Sequence, residues 1–194
     1  METFTPVRTI NGVFLPHSAL SPAHPSWWLA SSRRIPLLAI AILLLDQVTK
    51  AIVLRVLDFS DERVVLDGFF KLVHWGNTGS AFSLFQGRNG VLTLISIAAI
   101  VILYFTRHHF DAHTLPGQVA LGLIFGGIVG NLIDRIFRQH VIDFIYFYVI
   151  RRDGSEAGFP AFNVADSAIC VGVGLLFVLA WLNPPEQPPA RAEP

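Results

Sequence analysis

Cysteine is almost absent. Cys170 stands alone inside an apolar run, which excludes a disulfide framework and a cysteine-based zinc site. Charge is scarce as well. Only 14% of the residues are charged and the formal net charge is zero, so nothing in the sequence offers an electrostatic footprint for nucleic acid. The chain lacks a His-Glu-x-x-His motif. His108, His109 and His113 fall in a short loop where solvated side chains are the simpler reading, and no metal or cofactor is expected. No short apolar core with a small-residue cleavage site precedes the first long hydrophobic run, so the beginning of the chain does not read as a signal peptide.

What the chain has in quantity is apolar surface. Hydrophobic residues make up 53% of it and the mean hydropathy is +0.55, well above the range of soluble domains. Four runs approach the roughly 20 apolar residues needed to cross a bilayer: 35–57, 90–106, 118–137 and 162–182. The second is the shortest. Residues 1–34 contain Pro6, Pro16, Pro22 and Pro25 and are expected to be an irregular extension. Residues 183–194 form a Pro-rich tail expected to be disordered. Trp27 and Trp28, followed by Arg33 and Arg34, suit an interfacial anchor leading into the first span.

Four spans put both termini on one side. Arg63, Lys71, Arg88, Arg135, Arg138, Arg151 and Arg152 fall on the other, so charge bias does not favour cytoplasmic termini. That opposite side also carries the long loops. In the first, residues 63–66, Asp67-Gly68 and residues 69–75 read as strand, turn and strand. The second, 141–161, is rich in aromatic residues and reads as a loop or short helix at the headgroup level. The expected fold is therefore an all-α, four-helix membrane domain over 35–182 with a small β-hairpin on one face.

Polar residues within the apolar runs carry the chemistry. Asn131-Leu132-Ile133-Asp134 closes the third span and Asn163-Val164-Ala165-Asp166 opens the fourth. Helix arithmetic gives about 24 Å of rise from 118 to 134 and about 24 Å from 166 to 182, so both aspartates reach one depth. Two carboxyl groups held close share a proton, and such a pair can activate water and protonate a carbonyl. The motifs alone leave an ion pathway or a purely structural role equally open. Asp46 and Lys50, four residues apart in the first span, read as a local ion pair. A Ser/Lys protease using Lys50 with Ser80 or Ser83 is a further alternative. So is a four-helix proton or ion carrier.

Five segments taken in order narrow this. They are Asp46-Gln47-Val48-Thr49-Lys50, Asn77-Thr78-Gly79-Ser80-Ala81-Phe82-Ser83, residues 126–135 ending in Asn131-Leu132-Ile133-Asp134-Arg135, Val141-Ile142-Asp143-Phe144, and Phe162-Asn163-Val164-Ala165-Asp166. Over residues 36–182 this order resembles the lipoprotein signal peptidases, signal peptidase II, which are aspartyl proteases of the bacterial cytoplasmic membrane. The resemblance implies that Asp134 and Asp166 are the catalytic pair, that Asn77, Asn131, Arg135 and Asn163 shape the site, and that Asp46 and Lys50 support it. It implies lipid-modified prolipoproteins as substrates, cut just before a diacylglyceryl-modified cysteine. It further implies membrane lipid as a partner, a monomer without cofactor or nucleic acid, and a multi-pass inner-membrane protein. The termini would lie in the cytoplasm and the carboxylates near the outer face.

Overall fold

The computed structural model describes residues 8–10, 13–15, 27–79 and 86–182, with side chains from residue 33 onward. The expectations for Ser80, Ser83, the Trp27 and Trp28 side chains and the Pro-rich tail fall outside the described residues.

Two short strands, β1 (Arg8–Ile10) and β2 (Val13–Leu15), pair antiparallel with each other. Helix α1 (Trp27–Val56) follows. Its start lies within what composition marked as the irregular extension. After α1 come strands β3 (Glu62–Leu66) and β4 (Phe70–Asn77), then helices α2 (Asn89–Thr106) and α3 (Leu115–Phe137). Strands β5 (Val141–Ile150) and β6 (Glu156–Gly158) lead to helix α4 (Val164–Leu182). All four helices contain segments long and apolar enough to cross a membrane.

The helices are apolar on the outside. Leu94, Ile102, Phe105, Val171, Phe177 and Trp181 are exposed, as suits a bundle surrounded by lipid rather than water. Helix α3 is the central one and packs against α1, α2 and α4. Its small residues allow this. A Cβ on Gly130 would lie 2.6 Å from Asp46 Oδ2, and one on Gly127 would run into the carbonyl oxygen of Ala165 at the start of α4. Gly127→Ala is therefore expected to force α4 outward and to destabilise the bundle by about 1–3 kcal/mol. Thermal unfolding in detergent would register this as a lower midpoint; an unchanged midpoint would mean the helices do not meet there.

The β3–β4 hairpin expected from Asp67-Gly68 is present, and Gly68 takes the positive φ of 69° that the turn requires. The aromatic run after α3 departs from expectation. It is neither loop nor helix but strand β5, which pairs with β4 on one side and β6 on the other, for example Phe70 with Phe147 and Val149 with Ala157. The four strands form one antiparallel sheet in the order β3-β4-β5-β6, so the fold is not all-α. The physical reason is the composition of the run: β-branched and aromatic side chains fit a pleated, half-buried surface. Its first half is buried, Ile142 and Phe144 packing with Val53 of α1. Lys71 fastens the outer half through Glu62 at 2.9 Å and Glu156 at 2.6 Å.

Candidate active site

The C-terminal ends of α1 and α3, the start of α4 and the sheet meet at one end of the bundle. There the second Asn-x-x-Asp forms a capping box. Asn163 precedes α4 and its Oδ1 accepts the Asp166 backbone N–H at 2.9 Å, while Asp166 Oδ2 accepts the Asn163 N–H at 3.2 Å. A neighbouring free donor, the Ala165 N–H, is taken by Asp46 Oδ1 of α1 at 3.0 Å. The first turn of α4 is thereby tied to α1.

The first Asn-x-x-Asp is built differently, because it lies within a helix. Asn131 turns toward α4 and donates from Nδ2 to Asp166 Oδ1 at 2.7 Å. Asp134 turns toward α1. Its carboxylate is fully buried, 2.7 Å from Lys50 Nζ and 2.6 Å from Arg138 Nη1, and it also accepts from Gln47 Nε2 at 3.3 Å. Lys50 is likewise fully buried; it bridges Asp46 at 2.8 Å and donates to Asn131 Oδ1 at 3.0 Å. A salt-bridged carboxylate with no opening has little capacity to bind water. The two Asn-x-x-Asp motifs, alike in sequence, are built into different surroundings.

The residue facing Asp166 is Asp143 of β5. Both line a cavity of about 780 Å³, together with Asn77, Asn131 and Arg135; Asp134 is not among its lining residues. Asp143 is held by Asn77 Nδ2 at 2.9 Å on one oxygen and by Asn163 Nδ2 at 2.9 Å on the other. Asn163 therefore touches both carboxyl groups. Burial, and then the charge of Asp166, push the Asp143 carboxyl up to about 7, against the hydrogen bonds from Asn77 and Asn163 and the charge of Lys50. Arg135 lines the same cavity and donates to the Gly79 carbonyl at 2.8 Å. The remaining wall is largely apolar, with Trp75, Phe159, Phe162, Ile169 and Cys170.

The structure thus gathers all eight residues singled out from the sequence at one end of the bundle, but brings Asp166 together with Asp143 rather than with Asp134. The missed signal was available: an aspartate inside the apolar run Val141-Ile142-Asp143-Phe144 has to find buried polar partners.

Known proteins bear on this geometry. The family model for signal peptidase (SPase) II matches residues 38–182. The chain belongs to that family. It is 41% identical over 150 residues to a lipoprotein signal peptidase of Bacillus pumilus, covering 76% of this chain and 92% of the relative. With the lipoprotein signal peptidase of Symbiobacterium thermophilum the identity is 44% over 144 residues, covering 73% and 90%. A bacterial membrane enzyme solved by the in meso method at 2.3 Å resolution superposes with a TM-score of 0.66 at 31% identity, covering 79% of this chain and 93% of the solved one. Membership in the signal peptidase II family makes this a protease, and the four apolar helices make it a multi-pass membrane protein.

Proposed function

We propose that this member of the signal peptidase II family is an aspartic endopeptidase. It removes the signal peptide from diacylglyceryl-modified prolipoproteins, cutting just before the modified cysteine, with Asp143 and Asp166 as the catalytic pair. One observation carries this reading: two carboxyl groups, Asp143 buried and Asp166 half-buried, face one cavity and are joined through Asn163.

The pair holds one proton between two charges that repel. Asp166, on the first turn of α4 where the helix dipole favours an anion, takes a proton from water as its oxygen attacks the peptide carbonyl carbon. Asp143 gives its proton to the carbonyl oxygen. When the tetrahedral intermediate collapses, the C–N bond breaks, the proton held by Asp166 passes to the leaving amine, and the hydroxyl proton returns to Asp143. Asn77, Asn131 and Asn163 fix the two carboxyl groups, and Arg135 holds the cavity edge at Gly79. The apolar wall suits the lipid on the substrate cysteine. The sheet and cavity share one end of the bundle. The proposed setting is the bacterial inner membrane, with that end at the outer face and the termini in the cytoplasm.

Two other readings fare worse. A Ser/Lys mechanism needs a lysine free to take a proton, but Lys50 is engaged by Asp46, Asp134 and Asn131. A proton carrier needs relays spaced along the span, whereas Asp143 and Asp166 lie side by side at one end.

The test is cleavage of a lipidated precursor peptide by the purified protein in detergent, followed across pH. Raising a carboxyl group's pKa preserves its protonated form to higher pH. The donor on Asp143 is therefore present below about 7 and lost above it. Cleavage is expected to fall as pH rises through about 7. A rate that climbs through that range would remove Asp143 from the donor role, and ion flux without cleavage would remove the proposed activity.

A further inference from the structure

Arg138 caps the C-terminal end of α3, outside the five segments that carry the family resemblance and outside the cavity lining. Its Nη1 nevertheless sits 2.6 Å from Asp134 Oδ1 and 3.5 Å from Gln47 Oε1, and its side chain is 30% exposed. We propose that Arg138 is a positioning residue for hydrolysis, acting on the pair through Asp134, Lys50 and Asn131. This rests on the reading of Asp143 and Asp166 as the catalytic pair.

Asp46 of α1 and Asp134 of α3 are both fully buried, and so is Lys50 between them. One lysine cannot neutralise two carboxylates. Arg138 supplies the second cation, from the rim, where its guanidinium keeps contact with water. With Asp134 so balanced, Lys50 can also donate to Asn131 Oδ1 at 3.0 Å, which leaves the Asn131 amide nitrogen pointed at Asp166 Oδ1, 2.7 Å away. The Asn131 orientation is thus set by Lys50, whose charge is shared, together with Asn163 Nδ2, which donates to the same Oδ1 at 3.2 Å; the Lys50 share of this hold depends on Arg138. The charged groups around this chain are Asp46 and Lys50 on α1, Asp134, Arg135 and Arg138 on α3, Asp143 on β5 and Asp166 on α4. Helix α2 contributes only the uncharged Asn89, which accepts from Arg135.

Removing the Arg138 charge leaves the inner cluster one negative charge in excess beside the catalytic pair. A negative charge disfavours ionisation of carboxyl groups, so both limbs of the pH–rate profile move to higher pH.

The experiment measures kcat, KM and their pH dependence for Arg138→Gln and Arg138→Lys in detergent with a lipidated precursor peptide, alongside thermal unfolding. For Arg138→Gln the expected result is a fall in kcat of about tenfold with little change in KM. Its profile shifts upward by about half a pH unit. Arg138→Lys restores the profile. Adding Asp134→Asn to Arg138→Gln removes the excess charge and also returns the profile, which keeps the test available if the single variant is not recovered folded. A purely structural role lowers the unfolding midpoint but leaves the profile in place, and that outcome overturns the proposal. So does an Arg138→Gln enzyme indistinguishable from wild type, or a double variant whose profile stays displaced. Wild-type cleavage by Asp143→Asn or Asp166→Asn would instead sink the catalytic reading itself.

Discussion

Asp143→Asn lowers kcat for a lipidated precursor by about 10³-fold or more, and Asp166→Asn does the same. Each change keeps the side-chain shape and removes the group that gives or takes the proton. Neither should disturb the fold greatly. At position 143 Asn keeps one of the two acceptor contacts, with Asn77 or with Asn163, and at position 166 its carbonyl oxygen can take over the capping-box acceptor role. The measurement is mass-spectrometric product formation in detergent, with helix content checked by circular dichroism. Combining the two changes should cost little beyond either alone, because residues acting as one unit are not additive. A variant that is folded and retains a tenth of the wild-type rate would show that its carboxyl group takes no part in proton transfer.

Lys50→Met carries the largest expected effect on stability. It leaves Asp46 and Asp134 facing each other inside the bundle with only Arg138 to balance them. Removing one partner of a buried ion cluster costs about 3–5 kcal/mol, because an uncompensated charge remains. Asp46 also caps α4 through the Ala165 N–H, so the damage spreads to the helix that carries Asp166. The unfolding midpoint in detergent is expected to drop sharply, and Asp134→Asn on the same background to recover part of the loss. If Lys50→Met unfolds at the wild-type temperature, the cluster does not hold the helices together.

Much of this was open to reading from the sequence. The spans were legible because lipid demands long apolar helices whatever their packing. The β3–β4 hairpin was legible because Asp67-Gly68 is a local turn signal. Strand β5 was not. Its partners, such as Phe70 for Phe147, lie far away in sequence, and its apolar run has no clean alternation because its first half is buried on both faces. The proposed pair, Asp143 and Asp166, was half legible. Asp166 is marked by its capping box, a local pattern. Asp143 carries no local mark, since what faces it comes from β4 and α4. The repeat of Asn-x-x-Asp drew attention to Asp134 instead. Sequence spacing alone does not distinguish a helix start, where N3 meets the N-cap, from a helix interior, where positions three apart point to different neighbours.

The most direct test of the central claim is a structure of the protein bound to a lipopeptide that carries a hydroxyl group in place of the scissile carbonyl. Such a group mimics the tetrahedral intermediate and should bind more tightly than substrate. The expected result is that hydroxyl lying within about 3 Å of carboxyl oxygens of both Asp143 and Asp166, with Asp134 still bound to Lys50 and Arg138. A hydroxyl group held by Asp134 in place of Asp143 would contradict the account.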